Sequence, residues 1–286
     1  MFEDSYVDSF GQPRYAKERG EKMGHHYTLR FRLFDMVFDV STMIMTVLTA
    51  LIVFIFMYAM TRKLETGVPG RKQNAIEWVF DFVKNVGAGY MDPKKVMMLM
   101  TLGLTLFLYI FFGNQLGVIL NVNTLHKGEV SPAVMDMLAI ANTPELEEKR
   151  RAVVEHELAN EGVHIVWWKS PTATPSVTFG LALVVLLYSH YLGIRKSPGG
   201  WFKHTFLNPI HILEEFVIKP LTLPLRLFGN LFAKEVMISF LLSGGLLAAL
   251  PLFIWLGYSV FVGAIQAFIF LTLSMVYISQ HVNDEH

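Results

Sequence analysis

Val236–Gln280 reads VMISFLLSGGLLAALPLFIWLGYSVFVGAIQAFIFLTLSMVYISQ and holds no charged residue. About 20 residues of helix cross the roughly 30 Å of hydrocarbon in a bilayer, so this stretch suffices for one crossing and much of another, with a turn at Ser243-Gly244-Gly245. Soluble domains are about 25% charged, whereas this chain is 17% charged and 53% apolar. The deficit is local. Val96–Leu120 and Val177–Ile194 carry no charge, and Phe38–Met60 carries only Asp39. The pattern predicts an all-α membrane protein with five membrane-crossing helices, and excludes a soluble globular protein and most nucleic-acid binders. The balance of 24 Lys+Arg against 24 Asp+Glu gives no long-range pull on a charged partner. The absence of cysteine excludes disulfides, thiolate metal sites and a cysteine nucleophile.

Outward from the spans, residues 1–36 mix charges, glycine and aromatics and read as an extramembrane N-terminal arm with little order. Residues 37–286 form the membrane domain. After a turn at Val68-Pro69-Gly70, the stretch from Asn74 to Gly89 sets Ile76, Val79, Phe80, Val83 and Val86 on one helical face. Glu77, Asp81, Lys84 and Asn85 take the other, which predicts an amphipathic helix lying at the membrane interface. Residues 121–168 form an extramembrane helical cap. Ser131-Pro132 and Thr143-Pro144 each put an N-cap residue before a proline at the first helical position, and Glu145, Glu147 and Glu148 suit the positive helix end. Its apolar residues Leu146, Val153, Val154 and Leu158 look too few to enclose a core. The loops at 61–95 and 195–206 are denser in Lys and Arg than the arm or the cap, which assigns them to the cytoplasm. The N-terminus is then outside and the C-terminus cytoplasmic.

Charges inside the last apolar region need a reason, because Arg, Lys or Asp at a helix centre costs about 2.5–3.5 kcal/mol on insertion scales. Glu214, Glu215, Lys219, Arg226, Lys234 and Glu235 all fall there. At ~100° per residue, Glu215, Lys219, Thr222, Arg226 and Asn230 lie within about 40° of one line, although Pro220 and Pro224 interrupt the ladder. Glu235 turns to nearly the opposite side. Ser259, Gly263, Gln266, Ser274 and Tyr277 form a second polar and small-residue stripe, expected to face the first. Lys219, Lys234 and Glu214 could instead snorkel to the interface, and Gln266 could be interhelical glue. The histidines are scattered: His25-His26 is a weak metal signal, and His156-Glu157 lacks the second histidine of a zinc helix.

Leu225-Arg226-Leu227-Phe228-Gly229-Asn230, with Glu235 five residues on and Gln266-Ala267-Phe268-Ile269-Phe270 downstream, resembles the subunit a family of F-type ATP synthases. Glu77-Trp78-Val79-Phe80-Asp81-Phe82, Gly113-Asn114-Gln115-Leu116-Gly117, Trp167-Trp168-Lys169-Ser170-Pro171-Thr172 and Glu214-Glu215-Phe216 match in family order. The resemblance implies a stator subunit of the Fo motor whose last two crossings form a tilted hairpin facing the ring of c subunits. It implies that Arg226 and Glu235 carry proton translocation, and that Asn230, Gln266, Glu214, Glu215, Lys219, Thr222, Ser259 and Tyr277 line two half-channels. Implied partners are c-ring subunits, peripheral-stalk b subunits, other ATP synthase subunits and membrane lipid, with no nucleic acid. No catalytic centre, cofactor or metal is expected. The implied location is the inner (plasma) membrane of a bacterium, in preference to an organellar inner membrane. The chain departs from the family pattern at Thr174-Pro175, where an acid is common, at Lys234 in place of a small residue, and at Pro224 in place of a residue that is commonly small. An independent ion channel or secondary transporter would use the same buried charges. A non-catalytic scaffold would gain nothing from a central arginine. The choice of H⁺ or Na⁺ is not written on this chain, because the binding carboxylate resides on another.

Overall fold

The computed structural model describes residues 26–65, 67–120, 122–160, 162–207 and 209–283. Most of the expected N-terminal arm, residues 1–25, therefore lies outside the described residues, as does the side chain of His26. In chain order the elements are β1 (His26–Tyr27), β2 (Arg30–Leu33), β3 (Met36–Asp39), α1 (Val40–Thr61), α2 (Arg71–Ala88) and α3 (Pro93–Ile119). There follow β4 (Asn123–His126), α4 (Pro132–Ala139), α5 (Pro144–Asn160), β5 (Val163–Val166), a 3₁₀ turn (Pro171–Ala173), α6 (Pro175–Lys196) and α7 (Pro198–Phe206). The chain ends in α8 (Pro209–Leu213), a π-helical turn (Glu214–Ile218), α9 (Lys219–Ser243), a 3₁₀ turn (Gly245–Ala248) and α10 (Ala249–Val282).

Among the described residues, five helical stretches are long and apolar enough to cross a membrane: Val40–Thr61, Pro93–Ile119, Pro175–Lys196, Pro209–Ile238 and Ala249–Val282. They coincide with the five expected spans. Two boundaries differ. The first span begins at Val40, because Phe38 and Asp39 are paired in a strand with Phe31 and Arg30. α2 begins at Arg71, since Gly70 is extended and its carbonyl accepts the Asn74 N–H at 2.9 Å. Asn74, where the sequence pattern starts the helix, is thus inside its first turn. The amphipathic pattern of α2 is as read: Ile76 and Val83 are buried, and Glu77, Asp81 and Asn85 exposed.

The described residues divide into two units. The first comprises residues up to Ile44 together with Leu120–Lys169 and Glu235–Trp255. Its sheet runs β1-β5-β4, with His26 opposite His164 in parallel and β4 antiparallel to β5. β2 and β3 form a separate hairpin whose turn residues, Phe34 and Asp35, both have positive φ. That conformation suits the right-handed twist of a two-residue hairpin. Residues 26–36, expected as part of a loose arm, are therefore built into strands. The cap also has a small core, made of Tyr27, Leu29, Leu138, Val154, Leu158, Val163 and Ile165. Of the four apolar residues expected to be too few, Val154 and Leu158 are buried while Leu146 and Val153 are exposed. The missing area comes from Tyr27, Leu29 and β5, which a helix-by-helix count does not include. Both predicted N-caps form: Ser131 Oγ accepts the Val134 N–H and Thr143 Oγ1 accepts the Leu146 N–H, each at 3.4 Å.

Asp39 ends β3 against Lys169, with Oδ2 and Nζ 2.8 Å apart. Burial alone would raise the Asp39 carboxyl. The Lys169 ammonium, together with the Thr42 N–H on Oδ1 at 3.0 Å, outweighs burial and holds it below its ordinary value of 3.8.

The second unit comprises Met45–Ile119, Ser170–Lys234 and the residues from Leu256 onward. Its core includes Val83, Leu99, Ile110, Val185, Phe270 and Leu271, drawn from α2, α3, α6 and α10. Leu223 and Leu227 of α9 join the same core, each 1% exposed. α9 continues through Pro224 without ending.

Candidate functional site

α9 buries Leu223 and Leu227 on one face, which turns Leu225 and Arg226 outward. Arg226 is exposed and makes no hydrogen bond or ion pair among the described residues. Thr222 is exposed as well, Asn230 is half-buried, and Lys234 is buried. The side chain of Glu235 lies outside the described residues.

A buried charged cluster forms where the π-helical turn meets α9. Lys219 Nζ bonds Glu215 Oε1, approaches Gln280 Oε1 at 2.5 Å and Glu214 Oε1 at 3.6 Å, and lies 5.3 Å from the centre of the Tyr277 ring. The Lys219 and Glu215 side chains are 3% and 2% exposed. Burying two charges costs several kcal/mol per ion after relaxation, and the close pair plus the Gln280 oxygen offsets it. Glu214, Glu215, Lys219 and Tyr277 were expected to line a polar path, and the structure brings these four together. Helical arithmetic at 100° per residue does not hold through Glu214–Ile218, because a π turn advances by less per residue.

Two histidines complete the cluster. His190 Nε2 of α6 is 3.8 Å from Glu215 Oε2, and His281 Nε2 of α10 is 4.0 Å from Glu215 Oε1. Trp201 Nε1–H donates to His190 Nδ1 at 3.2 Å. Ser189 Oγ donates to the Tyr277 carbonyl at 2.9 Å and meets His281 Nδ1 at 3.1 Å. Neither histidine was singled out in the sequence. Each sits alone on an apolar helix, and only the packing of α6 on α10 unites them.

The second polar stripe occupies the buried face of α10. Ser259, Gly263, Gln266 and Ser274 are all buried there. Asn114 Nδ2 donates to the Gly263 carbonyl at 3.0 Å, and Gln115 Nε2 donates to the Val260 carbonyl at 3.0 Å. Among the described polar contacts of this face, those at Gly263 and Val260 run to α3, while Tyr277 lies against Lys219 of α9. A Cβ on Gly263 would stand 3.2 Å from the Asn114 Cβ, so the absence of a side chain permits the approach. Gln266 Oε1 is buried and has no hydrogen-bond partner among the described residues.

Among the described residues, five helices long and apolar enough to cross a membrane, with acidic and basic side chains enclosed between them, define a multi-pass helical membrane protein. The model of the ATP synthase A chain family matches residues 43–279. An ATP synthase subunit a of Macrococcus caseolyticus is 37% identical over 280 residues, which is 92% of this chain and 100% of that protein. One from Priestia megaterium is 37% identical over 278 residues, with the same shares covered. One from Staphylococcus aureus strain JH9 is 35% identical over 268 residues, 88% of this chain and 94% of that protein. The chain belongs to the ATP synthase A chain family, a family of ATP synthesis and proton transport, and is a multi-pass protein of the bacterial plasma membrane that works with other ATP synthase subunits.

Proposed function

We propose that this chain is the stator of the Fo motor, carrying two aqueous half-channels that load and unload protons on a rotating ring of c subunits, with b subunits holding it in place. The observation that carries this reading is Arg226: a guanidinium on an apolar helix, exposed and without a described partner inside the chain. A fixed cation on an apolar helix calls for a counter-charge, and a carboxylate on a passing ring subunit supplies one.

Arginine stays protonated at any working pH. Beside it, a ring carboxylate in a low-dielectric cleft favours the ionised form and gives up its proton. Because Arg226 cannot relay a proton, it also separates the two half-channels. Glu235 carries proton translocation with Arg226; Asn230, Gln266, Thr222 and Ser259 are assigned to the lining of these paths, and Glu214, Glu215, Lys219 and Tyr277 to the path at the start of α9. A membrane potential of 100 mV contributes about 2.3 kcal/mol per charge moved, so several protons are gathered per ATP. The tilted placement of α9 and α10 along the ring, the N-terminus outside and the C-terminus in the cytoplasm belong to the same reading.

The test is Arg226→Ala in the assembled ATP synthase, reconstituted in vesicles and driven by a proton gradient. ATP synthesis should fall to background while assembly with the ring is retained. Full coupling in the variant would overturn the role of Arg226. Proton flux from the purified chain alone would favour an independent channel.

A further inference from the structure

The histidine pair beside Glu215 has no role in the reading above. We propose that His190, Glu215 and His281 form a transition-metal site that takes Zn²⁺ in competition with Lys219. Their ligand atoms, one from each residue, all lie within 4.8 Å of one another and come from α6, the π-helical turn and α10. Three such atoms can close on one ion at the 2.0–2.2 Å typical of zinc with nitrogen and oxygen ligands with small side-chain adjustments. Two imidazoles and one carboxylate, with a fourth position for water, suit zinc, whereas magnesium and calcium select all-oxygen sets.

The surroundings of His281 fit a ligand. The Ser189 hydroxyl spends its proton on the Tyr277 carbonyl, so its oxygen accepts the His281 Nδ1–H, and Tyr277 O lies 3.4 Å from the same nitrogen. That hydrogen bond directs the Nε2 lone pair toward Glu215. Metal-bound histidines commonly have their other nitrogen held in this way.

Two groups oppose the ion. Lys219 occupies Glu215 Oε1 and must shift toward Glu214, already 3.6 Å away. Trp201 donates to His190 Nδ1, which places the proton of the neutral ring on Nε2. Zinc binding at Nε2 moves that proton to Nδ1 and displaces the Trp201 N–H. The site is therefore one that metal enters by competition, and removing either competitor strengthens binding. Under the proton-path reading, zinc held there also immobilises Glu215 and slows conduction; this consequence rests on that reading, whereas binding does not.

The experiment titrates the full-length chain in detergent with Co²⁺ as a visible probe of tetrahedral coordination, then displaces it with Zn²⁺. One intense Co²⁺ site per chain is expected, lost in His190→Ala and in His281→Ala and retained in His126→Ala. Lys219→Gln and Trp201→Phe should each bind Zn²⁺ at least tenfold more tightly, a gain that misfolding does not produce. A spectrum that survives both histidine variants, or no gain from either competitor variant, overturns the proposal. Proton conduction measured separately in the reconstituted complex, with and without Zn²⁺, tests the consequence: zinc bound without slowing conduction rejects the proton-path role of Glu215 and leaves the metal site standing.

Discussion

Lys219 and Glu215 form an ion pair one helical turn apart with both side chains almost wholly withdrawn from solvent, the acid in a π-helical turn and the base at the first residue of α9. The pair is held from three sides, since Gln280 and Tyr277 of α10 and Glu214 all approach the ammonium. Snorkelling, the alternative for Lys219 in the sequence, is thereby excluded: its Nζ points into the protein.

Removing one partner should cost more than removing both. Lys219→Gln leaves a buried carboxylate uncompensated and is expected to destabilise the chain by about 3–5 kcal/mol. Glu215→Gln combined with Lys219→Gln should recover a large part of that loss. Thermal melting in detergent of Lys219→Gln, Glu215→Gln and the double variant measures the coupling. Additive losses would show that the pair does not act as a unit.

Two glycines of one motif should respond oppositely. A Cβ on Gly117 would meet the Ser170 backbone nitrogen at 2.7 Å and Cα at 2.8 Å, where nothing can yield without moving main chain. A Cβ on Gly113 would meet Pro171 and Thr49 at 3.6 Å, an ordinary contact. Gly117→Ala should therefore lower the melting temperature clearly, and Gly113→Ala should be neutral or slightly stabilising, because alanine is the better helix former by about 1 kcal/mol. Equal effects of the two substitutions would contradict this packing.

The spans, the two N-caps in the cap and the apolar face of α2 were legible because each is written in contiguous residues with a fixed period. What escaped reading depends on chain segments distant in sequence. The core of the cap needs Tyr27 and Leu29, which only the pairing of β1 with β5 brings in. The site at Glu215 needs His190 and His281, each unremarkable among its neighbours, and a π turn shifts Glu215 out of simple helical register. The polar stripe of α10 was correctly found as a stripe, but periodicity states which residues share a face and not which helix that face meets. Asn114 of α3 meets it at Gly263, and Lys219 of α9 meets it at Tyr277.

Asn114 is fully buried and donates to the Gly263 carbonyl at 3.0 Å while its Oδ1 accepts the Thr172 hydroxyl at 2.6 Å. Asn114→Leu keeps the volume and removes both bonds together with the longer one from Ser170 Oγ to Oδ1 at 3.5 Å, while the Thr172 hydroxyl keeps its contact with Ser170 Oγ at 2.8 Å. The expected loss is about 1–3 kcal/mol, larger than the ~0.6 kcal/mol average for one interhelical hydrogen bond in membranes, because several bonds to one buried side chain are lost together. Thr172→Val alone should cost less than Asn114→Leu in the same unfolding assay. The reverse order would place the weight of the network on Thr172.

The pair of Asp39 and Lys169 makes a pH-dependent contribution whose sign is fixed by the direction of the Asp39 shift. The folded carboxyl titrates below its ordinary value of 3.8, so the folded state binds its proton less readily than the unfolded state does. Stability from this group is then fully present above about pH 5 and is lost as the pH falls through the unfolded value toward the folded one. Other carboxylates titrate in the same range, and the contribution is isolated as the difference between the wild-type chain and Asp39→Asn. That difference should be constant from pH 7 to about pH 5 and shrink steadily below pH 4, because the protonated aspartate no longer attracts Lys169 and comes to resemble the amide. Melting curves of both proteins in detergent across this range decide the point, and a difference that stays constant to pH 3 would mean that Lys169 does not stabilise the ionised form.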